Sequence, residues 1–174
     1  MAASPGLTPH AVSSLIPASH EDGEALALAR VCEHHNRLAR RLDLLVEALI
    51  TAVVDDDRVR MEIARSEIVT YLLRELLPHA DAEEDSVYPA ARTIPWARVI
   101  TDELAHEHVL LNQLTQRLED ERHPVRAATT AESLRVMFRH HVTSENTVVL
   151  PLVAATPGLS LASLVSALHE LTGH

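Results

Sequence analysis

The chain has 174 residues, 47% hydrophobic and 23% charged, which suits one domain with its own core and excludes a disordered tail or a fibre. A formal net charge of −10, with all 15 basic residues arginine, argues against nucleic acid or an anionic membrane surface as the main partner. Four glycines and four aromatics disfavour an all-β fold, and the lone Cys32 excludes a disulfide framework and any multi-cysteine metal site.

Residues 1–20 hold Pro5, Pro9 and Pro17, with no basic start and no long apolar run. They read as a flexible arm, not an export signal, and the chain reads as cytoplasmic. A first helix is expected over residues 21–54, stopping at Asp55, Asp56 and Asp57. A second covers 58–88, kinked at Pro78 because proline removes a backbone donor and crowds the preceding turn. Pro95 fits the first position of a third helix that reaches residue 122. The fourth starts between Val125 and Thr130 and runs to residue 150. Pro157 and Gly158 break the chain before a short amphipathic helix over 159–171. Short connections between long helices favour antiparallel neighbours, so the expected fold is all-α, an up-down-up-down four-helix bundle with a short C-terminal helix.

Each bundle helix buries a stripe spaced alternately three and four residues apart. The stripes read Val31, His35, Leu38, Leu42, Leu45, Leu49; then Val69, Leu72, Leu76, His79, Glu83; then Thr101, Leu104, His108, Leu111, Thr115 or Leu114, Leu118; then Leu134, Phe138, His141, Glu145, Val148, Leu152. Twelve histidines are an unusual load for this length, and one falls in every stripe. The second and fourth helices add a glutamate one turn later on the same side. These two helices also match as a repeat: His79-x-x-x-Glu83 precedes Pro89, and His141-x-x-x-Glu145 precedes Pro151 at the same spacing.

Four imidazoles and two carboxylates on core faces are costly unless paired. Two divalent cations solve this, each taking two histidine nitrogens, with the glutamates able to bridge. Mixed imidazole and carboxylate ligation with open positions suits iron, and also manganese or zinc. One His-x-x-x-Glu is weak evidence; two, with in-stripe histidines on both other helices, are strong.

The pattern His35 … His79-x-x-x-Glu83 … His108 … His141-x-x-x-Glu145 resembles the hemerythrin-like, or HHE cation-binding, domains. So does the text around the second motif, Leu77-Pro78-His79-Ala80-Asp81-Ala82-Glu83-Glu84 before Val87-Tyr88-Pro89. The likeness covers residues 30–152 and makes 21–174 a hemerythrin-like domain. It implies a four-helix bundle holding two non-haem iron ions joined by an oxo or hydroxo group. His35, His79, His108 and His141 would be terminal ligands, with either pairing open, and Glu83 and Glu145 would bridge. Oxygen-carrying hemerythrins have a His-x-x-x-His pair on the third helix, whereas the positions four residues either side of His108 are Leu104 and Asn112. They also end the motif in aspartate, where this chain has Glu145. Those departures turn the expectation from oxygen carriage toward redox chemistry or sensing.

His34, His106 and His140 compete with the stripe histidines but sit on more polar faces, as rim residues or partners that orient a ligand. Glu84 and Asp85 read as solvated charges, Tyr88 as core packing beside the site, and Cys32 as an inert thiol. The first functional reading is a di-iron protein reacting with dioxygen, peroxide or nitric oxide, in sensing, detoxification or iron handling, with catalase-like peroxide decomposition as an open activity. The second is a non-catalytic metal-stabilised interaction module. Neither reading requires nucleic acid or a membrane, and either a monomer or a homodimer suits both.

Overall fold

The structure is a computed structural model that describes residues 18–172, so most of the expected N-terminal arm lies outside it. Every regular element among the described residues is a helix, and none of them is a strand. None of the helices is long and apolar enough to cross a membrane. The elements are α1 (Ala18–Val54), α2 (Arg58–Tyr71), a π-helical turn (Leu72–Leu76), α3 (Leu77–Asp85), α4 (Val87–Arg92), α5 (Arg98–Asp120), α6 (Pro124–Ser144), a second π-helical turn (Glu145–Val149), α7 (Leu150–Ala155) and α8 (Leu161–Thr172). Among the long helices, α1 packs on α2 and α6, and α5 packs on α6 and α2.

The second expected helix is divided into four pieces. Before Pro78 the backbone widens: Leu77 N–H reaches back five residues to the Leu72 carbonyl. The wider turn makes room for a proline ring that would otherwise crowd the carbonyl four residues earlier. The same device precedes Pro151, where Leu150 N–H bonds to the Glu145 carbonyl. The structural repeat is therefore a π turn followed by Leu-Pro, at Leu77-Pro78 and Leu150-Pro151. Pro89 does not share it, because it lies inside α4 after a break at Ser86. Pro95 lies in a turn and does not open the third helix, which begins at Arg98. Pro124 does open α6, where its missing donor costs nothing.

The core consists of two apolar clusters. One holds Leu38, Leu42, Leu76, Leu111 and Phe138; the other holds Val31, Ala82, Leu104 and Val149. On each of the four helical segments the stripe histidine falls between a residue of one cluster and a residue of the other: His35 between Val31 and Leu38, His79 between Leu76 and Ala82, His108 between Leu104 and Leu111, His141 between Phe138 and Val149. These histidines and glutamates thus form a layer between the two apolar clusters.

Most stripe positions are buried, Thr115 rather than Leu114 among them. Two departures are informative. On α1, Val46 is buried and Leu45 only partly so. Beyond Glu145, Val149 and Val153 face inward in place of Val148 and Leu152. The π turn inserts one residue, so the inward face advances by one position.

The C-terminal helix is held by a carboxylate. Buried Glu24 of α1 accepts hydrogen bonds from Ser160 Oγ at 2.8 Å and Leu161 N–H at 2.7 Å, at the start of α8. This satisfies donors that the first helical turn leaves without partners. Glu24→Ala is expected to cost about 1–2 kcal/mol and to speed amide exchange in α8 before the rest of the protein; urea denaturation and hydrogen exchange check both.

Candidate metal centre

All six stripe residues expected to bind metal are buried: His35, His79, Glu83, His108, His141 and Glu145. Their inward atoms form two groups. His35 Nε2 lies 2.9 Å from His79 Nε2 and 3.0 Å from Glu83 Oε1, and His79 Nε2 is 3.1 Å from the same oxygen. Across the layer, His108 Nε2 lies 2.9 Å from His141 Nε2 and 3.7 Å from Glu83 Oε2, and His141 Nε2 is 3.4 Å from Glu145 Oε2. Glu83 belongs to both groups, one oxygen toward each pair. The other three ligand atoms of the second group come from His108, His141 and Glu145, all within 4.8 Å of one another. The structure therefore brings His35 together with His79, and His108 with His141, an arrangement that spacing leaves open.

The outer ring nitrogens carry the argument that a cation belongs here. His108 Nδ1 donates to Glu84 Oε1 at 2.9 Å, and His141 Nδ1 donates to Glu107 Oε2 at 2.9 Å. A ring nitrogen facing a carboxylate carries the proton. In the neutral rings both Nε2 atoms then present lone pairs to each other at 2.9 Å, which is repulsive unless a positive charge sits with them. His35 repeats the pattern, its Nδ1 donating to Asn146 Oδ1 at 2.8 Å while Nε2 faces His79 and Glu83. Glu145 Oε2, buried, has no hydrogen-bond donor at all. A cation in each group would satisfy these atoms, so the residues fit a two-metal centre.

Without metal, protons take that role. Burial by itself pushes His141 down, but the charges of Glu145 and Glu107 outweigh it and hold the ring up at about 10. Burial likewise opposes charge on His35, and its hydrogen bond to Glu83 with the charge of Glu145 overcomes this, so its value too is raised. Burial would raise Glu83, yet His79 and His35 beside it hold the carboxyl well below the usual carboxylate range.

Tyr88 is part of the site. Its fully buried hydroxyl donates to Glu145 Oε1 at 2.7 Å, and its ring stacks on His108 at 5.4 Å. Burial, and then the Glu145 charge, raise its hydroxyl well above the ordinary phenol value, so it remains a donor. Tyr88→Phe would remove the hydrogen bond that Glu145 Oε1 accepts in the metal-free protein. A loss of about 1–3 kcal/mol is expected there, and a smaller loss with metal bound, by denaturation of both forms.

Some sequence expectations need correction. Glu84 is exposed, as expected of a solvated charge, but it also accepts from His108 Nδ1 and so orients that ring. Glu107 and Asn146, which periodicity does not single out, hold His141 and His35. The competing histidines stay outside the layer. His106 is exposed, and exposed His140 bonds Glu107 at 3.2 Å. Half-buried His34 packs its ring 4.8 Å from that of His79 and accepts from Arg37. Cys32 is partly exposed, and burial raises its thiol, which keeps it protonated.

A family model described as the hemerythrin HHE cation-binding domain matches residues 26–153. The chain belongs to this family. The matched span of the HHE domain contains all six residues of the buried layer and both π turns. Cation binding is thus a property of the family, and the buried histidine–glutamate cluster is the place in this chain that can hold the ion. No curated protein and no solved structure matches the chain.

Proposed function

We propose that the protein is a non-haem di-iron protein that reacts with dioxygen, peroxide or nitric oxide, built as an up-down-up-down four-helix bundle. The observation that carries this reading is Glu83, whose two oxygens face two separate histidine pairs. A carboxylate shared in that way serves two ions. His35, His79, His108 and His141 would be the nitrogen ligands, with Glu145 joining the His108–His141 group. The donor set of imidazoles and carboxylates suits iron.

Two irons, when bound, supply two-electron chemistry toward a small oxidant. The chain's own residues do the rest. The apolar clusters on both sides of the layer keep bulk water away. Glu84, Glu107 and Asn146 hold three imidazoles in one tautomer. Tyr88 holds a proton at Glu145 Oε1. The position four residues before His108 is Leu104, buried in an apolar cluster, and Asn112, four residues after, is exposed. The third helix therefore offers one inward histidine. That smaller set favours sensing, detoxification or iron handling over oxygen carriage.

The test is iron stoichiometry together with an optical spectrum of the iron-loaded chain, before and after peroxide, with oxygen evolution followed alongside. Two irons per chain and a change in visible absorption are expected. Bound iron with an unchanged spectrum would leave a metal-stabilised interaction module as the function, and no bound iron would overturn the metal reading itself.

A further inference from the structure

The two groups of ligand atoms are alike in their histidines and unlike in almost everything else. The His108–His141 group has four protein ligands, two of them carboxylates, Glu83 and Glu145. The His35–His79 group has three, and its carboxylate is the shared Glu83. The atoms behind the histidines differ in the same sense. His108 and His141 each donate from Nδ1 to a carboxylate, Glu84 and Glu107. His35 donates to a neutral amide, Asn146, with the Glu145 carboxylate farther off at 3.7 Å, and His79 Nδ1 is buried with no hydrogen-bond partner. A carboxylate behind an imidazole makes the ring a stronger donor to a metal, and fixes its orientation. The charges of Glu83 and Glu145 are buried and weakly screened, that of Glu107 is largely covered, and exposed Glu84 acts through its hydrogen bond.

We infer that the two metal positions are unequal, so that the position of His108, His141, Glu83 and Glu145 fills first and holds its ion tightest, while the position of His35, His79 and Glu83 fills second and exchanges freely. This rests on the two-metal reading above and goes beyond it by assigning an order to the residues. Charge works in the same direction. Glu83 must share its negative charge once both ions are present, and the His35–His79 position gains no second carboxylate ligand, because Glu145 Oε2 approaches His35 only from behind, 3.7 Å from Nδ1. The two ions weaken each other by the same factor, and the His108–His141 position stays the tighter because Glu145, Glu84 and Glu107 remain with it.

The experiment is an anaerobic titration of the metal-free full chain with cobalt(II), followed by its visible absorption and by calorimetry. Two separate steps of one ion each are expected, with affinities at least about tenfold apart. A chelator added to the loaded protein removes one ion well before the other. Glu107→Gln and Glu84→Gln each weaken the first step by about 10–100-fold and bring the two steps together. Asn146→Asp, which places a carboxylate behind His35, tightens the second step. Circular dichroism of each variant shows whether the fold is kept, and Asn146→Asp needs a gain in affinity that a damaged fold does not produce.

Two ions entering in one step overturn the inference while leaving the two-metal reading intact. So does a Glu107→Gln variant that loses the second step and keeps the first. No cobalt bound at all overturns both.

Discussion

Glu83→Ala is expected to weaken both metal positions, whereas Glu145→Ala weakens only one. Glu83 faces the His35–His79 pair with Oε1 and the His108–His141 pair with Oε2. Its removal leaves the first pair with two histidines and nothing else from the chain, and the second pair with three ligands. The loss at the His35–His79 position should reach at least about 100-fold, since even a residue that only orients a ligand is worth 10–100-fold. Glu145→Ala removes one of four ligands at the other position and leaves His35, His79 and Glu83 in place. His34→Ala, outside the layer, should keep both ions. Metal content after gel filtration, measured on all three variants, separates these cases. A Glu83→Ala protein that keeps two ions would mean that the carboxylate does not join the two groups.

The metal-free and metal-loaded proteins are expected to respond to alkali in opposite directions. In the metal-free chain His141 titrates at about 10 instead of 6.5, and His35 is also raised. A raised histidine contributes stability that is fully present below its unfolded value and is lost as pH rises through the folded one. Stability of the metal-free protein should therefore fall between about pH 6.5 and 10. Glu83 works at the other end: its depressed value gives stability present above its ordinary 4.5 and lost as pH falls through the folded value. The metal-free protein is thus most stable at mildly acidic pH.

Metal requires the same nitrogens without their protons. Loading should release protons from His35 and His141, and the affinity should rise by up to about tenfold per pH unit for each proton displaced. Melting of the two forms from pH 5 to 9, with proton release measured in weakly buffered solution, checks the sign. Metal affinity that stays flat across that range would contradict a site in which protons and cations compete.

Much of this protein is legible in one dimension, because a helix turns side chains inward at fixed intervals whatever lies opposite. Val31, His35, Leu38 and Leu42, or Thr101, Leu104, His108 and Leu111, can be placed on an inward face by counting alone, and they are buried. The backbone breaks were harder to read. Pro78 announces a disturbance, but proline chemistry does not say whether the helix kinks, stops or widens. Here a π turn over Leu72–Leu76 accommodates the ring, while Leu76 and His79 both stay buried. The same widening before Pro151 displaces Val148 and Leu152 in favour of Val149 and Val153, a one-residue slip that simple periodicity cannot see.

The sequence by itself determined that the chain is helical, that four histidines and two glutamates lie on core faces, and that such a set calls for cations. Those are consequences of spacing within a single helix and of the cost of burying polar groups. Only the tertiary structure decided that His35 stands with His79 and His108 with His141, that Glu83 is shared, and that Glu84, Glu107 and Asn146 hold the rings from behind. Glu107 meets His141 from another helix, 34 residues away, and Asn146 meets His35 across 111 residues. Such meetings depend on how far each helix is rotated and shifted against its neighbours, which packing of the two apolar clusters fixes and no count along the chain contains.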